Sequence, residues 1–324
     1  MRSSNRKREV QKVSISESKL IHHLDRFYGE KRPVTADVFI TNYCNAKCPF
    51  CTYGRWDLAD KKRYTPLEDF KRYATRLVEL GVKGIILTGG GEPTIHPQFT
   101  EICKWLEDNE ISYGINTNFI VPTFIKPDYI KISLDGHDAE SYKAIKGVDA
   151  YEKVRENVKA YAEFKKRESP KTNLGIQKIV TSPDEIIPFY EANKDLDVDY
   201  IVFRPIESTL GEYYREEKHA LESLEIIEGI DDERVVANYK WKNLANRFDS
   251  CLAHWSQIAL NENGEVMYCC HKPYEIVGHI LDEDILKKHA EAKTNMNKCD
   301  VPCRLTAPNE LVRQIVTEKE VSFI

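Results

Sequence analysis

The sequence predicts an α/β fold: a partial (β/α)6 barrel of the TIM type, followed by a small cysteine-bearing C-terminal module. Two patterns carry that prediction. Short β-branched runs alternate with longer helix-patterned stretches from Ala36 to Pro205, and such alternation specifies βα units on a parallel sheet. Six units in that span fall short of the eight that close a barrel. Eight of the nine cysteines then fall into two groups, one directly after the first strand and one beyond residue 250.

The elements follow in order. Residues 1–35 read as a basic polar tail and a short amphipathic helix over Glu17–Tyr28. Strands are predicted at Ala36–Thr41, Gly84–Thr88, Ser112–Asn116, Tyr129–Ser133, Leu174–Val180 and Tyr200–Phe203. Helices are predicted at Pro66–Leu80, Pro97–Asn109, Tyr151–Lys166 and Pro183–Lys194. Thr65 is the expected N-cap of the first of these and Gly81 its stop. Residues 36–205 form the barrel, and 206–249, charged and helix-prone, read as a helical bridge. In the final module, 250–324, Gln257–Leu260 and Glu265–Tyr268 flank Asn261–Gly264, where Asn-Gly signals a hairpin turn with positive φ angles.

Composition excludes several classes. Lys+Arg 47 against Asp+Glu 52 leaves a net charge of −5, so no global basic field recruits nucleic acid. No apolar run approaches the ~20 residues of a membrane span, and the basic N-terminus lacks the apolar core of a secretory signal. The expected location is the cytoplasm, where grouped cysteines read as metal ligands or redox groups before disulfides.

Cys44, Cys48 and Cys51 have the spacing Cys-x3-Cys-x2-Cys. A structural zinc site wants four ligands. Three thiolates can instead hold three irons of a [4Fe–4S] cube and leave the fourth open. After the second strand comes Thr88-Gly-Gly-Gly-Glu-Pro-Thr94, where glycines admit a ligand to the backbone and a carboxylate can accept from an ammonium. Flanking the hairpin, Cys251 before it and Cys269, Cys299 and Cys303 after it suit a closed four-thiolate site, zinc or iron–sulfur. Cys270, on the opposite face of a strand from its neighbour, reads as structural, and so does Cys103 within a helix. His271 reads as a surface histidine, with a non-cysteine ligand to the second site as the alternative.

These motifs resemble the radical S-adenosylmethionine (radical SAM) superfamily, whose hallmark is this cysteine spacing with an aromatic, here Phe50, before the last cysteine. The resemblance implies that Cys44, Cys48 and Cys51 bind a [4Fe–4S] cluster whose open iron is chelated by S-adenosylmethionine. Reductive cleavage would then give a 5′-deoxyadenosyl radical that abstracts a substrate hydrogen. It implies further that Gly90, Gly91, Glu92 and Pro93 match the GGEP segment that binds the amino group of SAM. Asn118, Ser133, Asp135 (in Ser133-Leu-Asp135-Gly136) and Arg204 are implied as further SAM contacts, with ion pairing and turn-forming as the alternatives. Gln177 and Lys178 stand adjacent on the fifth strand, and parity leaves open which one faces inward.

The C-terminal layout is similar to the SPASM/Twitch subgroup, where a Gly-x4-Cys hairpin and a later cysteine pair hold an auxiliary [4Fe–4S] cluster. Full SPASM modules carry more cysteines and a second auxiliary cluster, so the shorter Twitch type fits better. The resemblance implies an oxidoreductase acting on a small molecule of sugar, cyclitol or nucleoside type, supplied with electrons by a flavodoxin or ferredoxin. Peptide or protein maturation is the alternative, and a non-enzymatic iron–sulfur or zinc protein the reading from another class. Only about 35 residues precede the first strand, fewer than a leader-binding domain needs. The ending Val321-Ser-Phe-Ile324, without the Gly-Gly tail, and the spacing of the last cysteines disfavour GTP cyclisation.

Overall fold

The computed structural model describes residues 22–23, 25–28, 30–51, 53, 62–206, 217–237, 248–295, 303 and 305–317. The strands are β1 (Thr35–Phe39), β2 (Gly84–Thr88), β3 (Tyr113–Thr117), β4 (Tyr129–Ser133), β5 (Asn173–Val180), β6 (Tyr200–Pro205), β7 (Val235–Ala237), β8 (Gln257–Leu260), β9 (Glu265–Met267) and β10 (Ile276–His279). The helices are α1 (Asp25–Tyr28), α2 (Leu67–Glu79), α3 (Phe99–Asp108), α4 (Ala139–Lys146), α5 (Tyr151–Glu168), α6 (Ile186–Asn193), α7 (Glu217–Glu228), α8 (Ile285–Glu291) and α9 (Thr306–Thr317).

One sheet orders these strands β10-β9-β8-β1-β2-β3-β4-β5-β6-β7. Each strand from β1 to β7 lies parallel to the next in sequence, the order of successive βα units wound into a partial barrel. Six of the seven match the predicted strands. The seventh, β7, lies in the stretch read as a helical bridge, which α7 also occupies in part. The hairpin β8–β9 does not stand apart either, because β8 pairs parallel with β1 and extends the same sheet.

Alternation sorts each strand. Ala36, Val38, Ile85, Leu87, Ile115, Ile130, Ile132, Leu174, Ile176, Ile201 and Phe203 point to the helix-covered side and make the main core. The opposite faces turn into the barrel. There Tyr129 lies directly across from Gly114, and Tyr200 across from Gly175. A side chain at either glycine would strike the facing phenol ring, so each bare position exists to seat an aromatic ring. Above these rings the inner surface turns polar: Asn116 donates to Thr88 Oγ1 at 3.3 Å and Gln177 to Ser133 Oγ at 3.4 Å.

Local corrections have simple causes. The N-cap of α2 is Pro66, without a side-chain cap, because Thr65 Oγ1 instead donates to Glu262 O in the hairpin turn at 2.9 Å. Tyr73 on α2 donates to Asn263 O at 3.1 Å, so the helix clamps that turn. In the turn only Gly264 has a positive φ, 78°. Asn261 Oδ1 accepts from the N–H groups of Asn263 and Glu265, a side-chain turn in place of the expected Asn-Gly geometry. The helix predicted over Glu17–Tyr28 lies largely outside the described residues; its last turn is α1. Among the described residues, no helix is long and apolar enough to cross a membrane.

Candidate active site at the strand ends

The first cysteine group leaves the C-terminal end of β1, where catalytic groups of βα barrels collect. Thr41 opens the loop: its hydroxyl donates to Arg63 O at 2.8 Å and accepts from Tyr43 N–H at 3.0 Å. Cys51 N–H closes a turn onto Cys48 O at 3.1 Å. Cys44 is exposed, whereas Cys48 and Cys51 are half-buried, as is Phe50. Although its outer surface reaches solvent, desolvation by the atoms crowded around it and then the Glu92 carboxylate raise the Cys44 thiol. Desolvation also raises Cys48, against the pull of the Lys146 ammonium. Such thiols ionise when a metal takes the place of their protons.

The glycine loop after β2 docks on this cysteine loop. Glu92 N–H donates to Tyr43 O at 2.8 Å. A side chain on Gly91 would collide with Tyr43 O, and one on Gly89 with Gly91 O. Gly90 differs: its added carbon would meet nothing nearer than a Phe39 ring atom at 3.5 Å. So Gly89 and Gly91 serve the chain's own close approach, while Gly90 leaves room above the loop.

Glu92 turns its carboxylate inward. It is 3% exposed, and four donors face its two oxygens. Thr94 N–H (3.1 Å), Thr94 Oγ1 (2.8 Å) and Thr117 Oγ1 (2.5 Å) reach Oε1, and Asn118 N–H (2.7 Å) reaches Oε2. Desolvation raises its pKa and these four bonds oppose the rise. The carboxylate is a brace between the ends of β2 and β3. Pro93, buried, starts the 3₁₀ turn that Glu92 caps.

Asn118 is brought in by that brace. Its Nδ2 donates to Asn45 Oδ1 at 2.7 Å and faces Cys44 Sγ at 3.9 Å. Ser133 is half-buried at the end of β4, and Arg204 likewise near the end of β6. Asp135 is 0% exposed. It is ion-paired with Lys146, itself 4% exposed, and accepts from Ile179 N–H at 2.6 Å. Its carboxylate holds β4, β5 and α4 together. On β5 both candidates are buried: Gln177 faces Ser133, while Lys178 pairs with Glu185 at 2.9 Å.

In the second group, Cys269 has Cys270, Cys303 and Cys251 as electrostatic neighbours, and desolvation raises its thiol well above the ordinary range. Cys303 is buried with Ala253, Trp255, Leu305 and Val312, and Cys251 packs on that cluster. Cys270 packs instead on Phe39, Ala259 and Met267 beside Tyr53. Cys299 lies outside the described residues. Among the described residues, no three His, Cys, Asp or Glu side chains close on a single metal ion; cluster ligands bind different irons and need no common point.

The sequence reading missed Tyr53, whose hydroxyl donates to Cys270 O at 2.6 Å and whose ring stands edge-on to Phe39 at 5.3 Å. It thereby ties the two cysteine regions together. Also missed were the bracing hydroxyls Thr94 and Thr117, and Lys146 behind Cys48. No local signal marks the first three. For Lys146 there was one: Asp138-x-x-Ser141 starts α4 as a capping box, and Gly147 (φ 68°) ends it.

The model of the radical SAM superfamily matches residues 38–176. A probable GTP 3′,8-cyclase of Pyrococcus horikoshii is 32% identical over 144 residues, covering 42% of this chain and 44% of that protein. The chain thus spans less than half the length of that curated relative. Among solved structures, anSMEcpe with bound AdoMet superposes with a TM-score of 0.61 at 18% identity, covering 83% of each chain. Streptococcus suis SuiB bound to its precursor peptide SuiA gives 0.59 at 15% identity, covering 88% of this chain and 67% of that one. At these identities the two structures establish a shared fold. Residues 38–176, which carry both loops described above, are thus similar to the radical SAM superfamily.

Proposed function

We propose that the chain is a radical SAM oxidoreductase. Cys44, Cys48 and Cys51 would hold a [4Fe–4S] cluster, which supplies an open iron for the amino-acid end of SAM and the electron that cleaves it to a 5′-deoxyadenosyl radical. One observation carries this reading: the three-cysteine loop and the glycine loop meet at adjacent strand ends, locked by the Glu92–Tyr43 hydrogen bond. With Glu92 committed inward, the backbone at Gly89–Gly91 is the acceptor offered to the SAM ammonium. Asn118 fixes the Cys44 side of the pocket, and Ser133 and Arg204 line the way toward β6 as SAM contacts. Cys251, Cys269 and Cys303, with Cys299, would hold an auxiliary [4Fe–4S] cluster. The meeting of the first three across more than fifty residues of chain supports that assignment.

The substrate reading is a small molecule of nucleoside, sugar or cyclitol type, which loses a hydrogen atom, a proton and an electron. The polar inner wall of Thr88, Asn116, Ser133 and Gln177 suits a hydroxyl-rich substrate. The P. horikoshii protein adds a nucleotide precedent. Yet its 144-residue match cannot include both Cys44 and Cys251, which stand more than 200 residues apart, so GTP cyclisation itself is not carried over. A second reading, peptide maturation, is favoured by the likeness to SuiB, solved with its precursor peptide. The electron donor would be of flavodoxin or ferredoxin type.

Anaerobic reconstitution tests the reading. Two cubes require about eight irons per chain, and reduction with SAM present should release 5′-deoxyadenosine. Replacing Cys44, Cys48 and Cys51 by Ala together should halve the iron and abolish that product. Continued release from the triple variant would overturn the assignment.

A further inference from the structure

Helix α4 contributes nothing to the motifs, yet it is pinned to the cysteine loop. Lys47 N–H donates to Lys146 O at 2.7 Å. Gly147 closes the helix at φ 68°, where a side chain would strike Lys47 O. Gly136 keeps the other end close, since an added carbon would lie 2.5 Å from Tyr142 Cβ. Tyr142 and Lys146, one turn apart, therefore share a face of the helix. That face is directed at the cysteine loop: the phenol's electrostatic neighbours are Lys146, Asp135, Cys48 and Glu92.

Both side chains are buried, and their states differ. The Lys146 ammonium is satisfied by Asp135, which is itself anchored by Ile179 N–H. The Tyr142 hydroxyl is 0% exposed and has no hydrogen-bond partner among the described residues. A buried unsatisfied hydroxyl bears the uncompensated cost of its lost hydration, and native phenols usually find an acceptor. Cys48 is among the groups whose charge that phenol feels.

We propose that Tyr142 donates a hydrogen bond to a sulfur of the cluster held by Cys44, Cys48 and Cys51, and that Lys146 sets a fixed positive charge beside it. Tyr142 and Lys146 are positioning residues that tune this cluster. Hydrogen bonds to sulfur and nearby positive charge both stabilise the more negative, reduced cluster, so together they raise its reduction potential. The inference rests on the proposed function and extends it to a helix outside the cysteine and glycine loops.

The test uses the whole 324-residue chain with cysteines 251, 269 and 303 replaced by Ala, so that one cluster remains. The midpoint potential of that cluster is read by EPR-monitored redox titration in the parent, Tyr142→Phe, Lys146→Arg and Lys146→Met. The expected order is parent and Lys146→Arg highest, with Tyr142→Phe and Lys146→Met shifted to lower potential. The metal-free Tyr142→Phe protein should melt at or above the parent temperature, since the change deletes only an orphan hydroxyl. Asp135→Asn/Lys146→Met serves if the single Lys146→Met chain does not fold. A cluster with unmoved potential in Tyr142→Phe overturns this inference alone. The lack of any reducible cluster in the parent overturns the proposed function along with it.

Discussion

Replacing Glu92 by Gln separates two roles that the motif alone leaves merged. All four of its partners are donors. Gln keeps one carbonyl oxygen for Thr94 and Thr117 but must turn an amide NH2 toward Asn118 N–H. One charge-assisted bond is lost and a buried backbone donor faces another donor, a penalty of about 2–3 kcal/mol. At roughly 2–4 °C per kcal/mol for chains somewhat shorter than this one, the metal-free variant should melt about 5 °C below the parent. The strain falls on Asn118, hence on its 2.7 Å contact with Asn45 and on Cys44. SAM affinity, measured by anaerobic titration of the reconstituted protein, should weaken as a consequence of that displacement. The decisive result is a dissociation. If Glu92→Gln melts within about 1 °C of the parent yet loses SAM binding, the carboxylate touches the ligand directly and the brace assignment is wrong.

Three further outcomes follow from the same geometry. Gly147→Ala forces a left-handed backbone onto alanine, at about 1–3 kcal/mol, and drives a methyl into Lys47 O; urea unfolding should show a loss at or above that range, and a neutral effect would mean that α4 is not pinned to the cysteine loop. Tyr53→Phe removes the bond to Cys270 O, so iron should be lost faster to a chelator from the second cysteine group than from the first; equal rates would refute the link. Asp232 is held down to about 2 by Arg234 hydrogen bonds. Its folded pKa lies below the unfolded 3.8, so its stabilisation is present above 3.8 and fades as pH falls through 2. Screening at this partly exposed pair reduces the expected Asp232→Asn cost to about 1 kcal/mol at pH 7, vanishing near pH 2 in denaturant titrations; a cost independent of pH would contradict it.

The parallel strands were legible because their β-branched runs are bounded by turn residues. The cysteine and glycine loops were legible because their spacing is local. What escaped depends on contacts between distant residues. β7 is three residues, Val-Val-Ala, in charged surroundings, too short for periodicity to register. Asp135 reads as half of an Asp-Gly turn until Lys146, eleven positions on, reaches it through the fold. Gln177 and Lys178 defeat a parity argument because β5 is buried on both faces, the lysine compensated by Glu185. Glu92 invites a ligand role in sequence, since the four donors that occupy it come partly from β3. Cys269 and Cys270 could be divided only by their surroundings, one among Cys251 and Cys303 and the other on Phe39 and Met267.

The proposed function requires, at Cys44, Cys48 and Cys51, an iron site with one position left open by the polypeptide. Its most direct measurement is the EPR spectrum of the reduced single-cluster protein, recorded before and after addition of SAM with methionine-labelled nitrogen-15. The expected result is a changed spectrum carrying hyperfine coupling to the labelled amine, because the proposed site leaves one iron position open to that nitrogen. A spectrum indifferent to SAM would contradict the account.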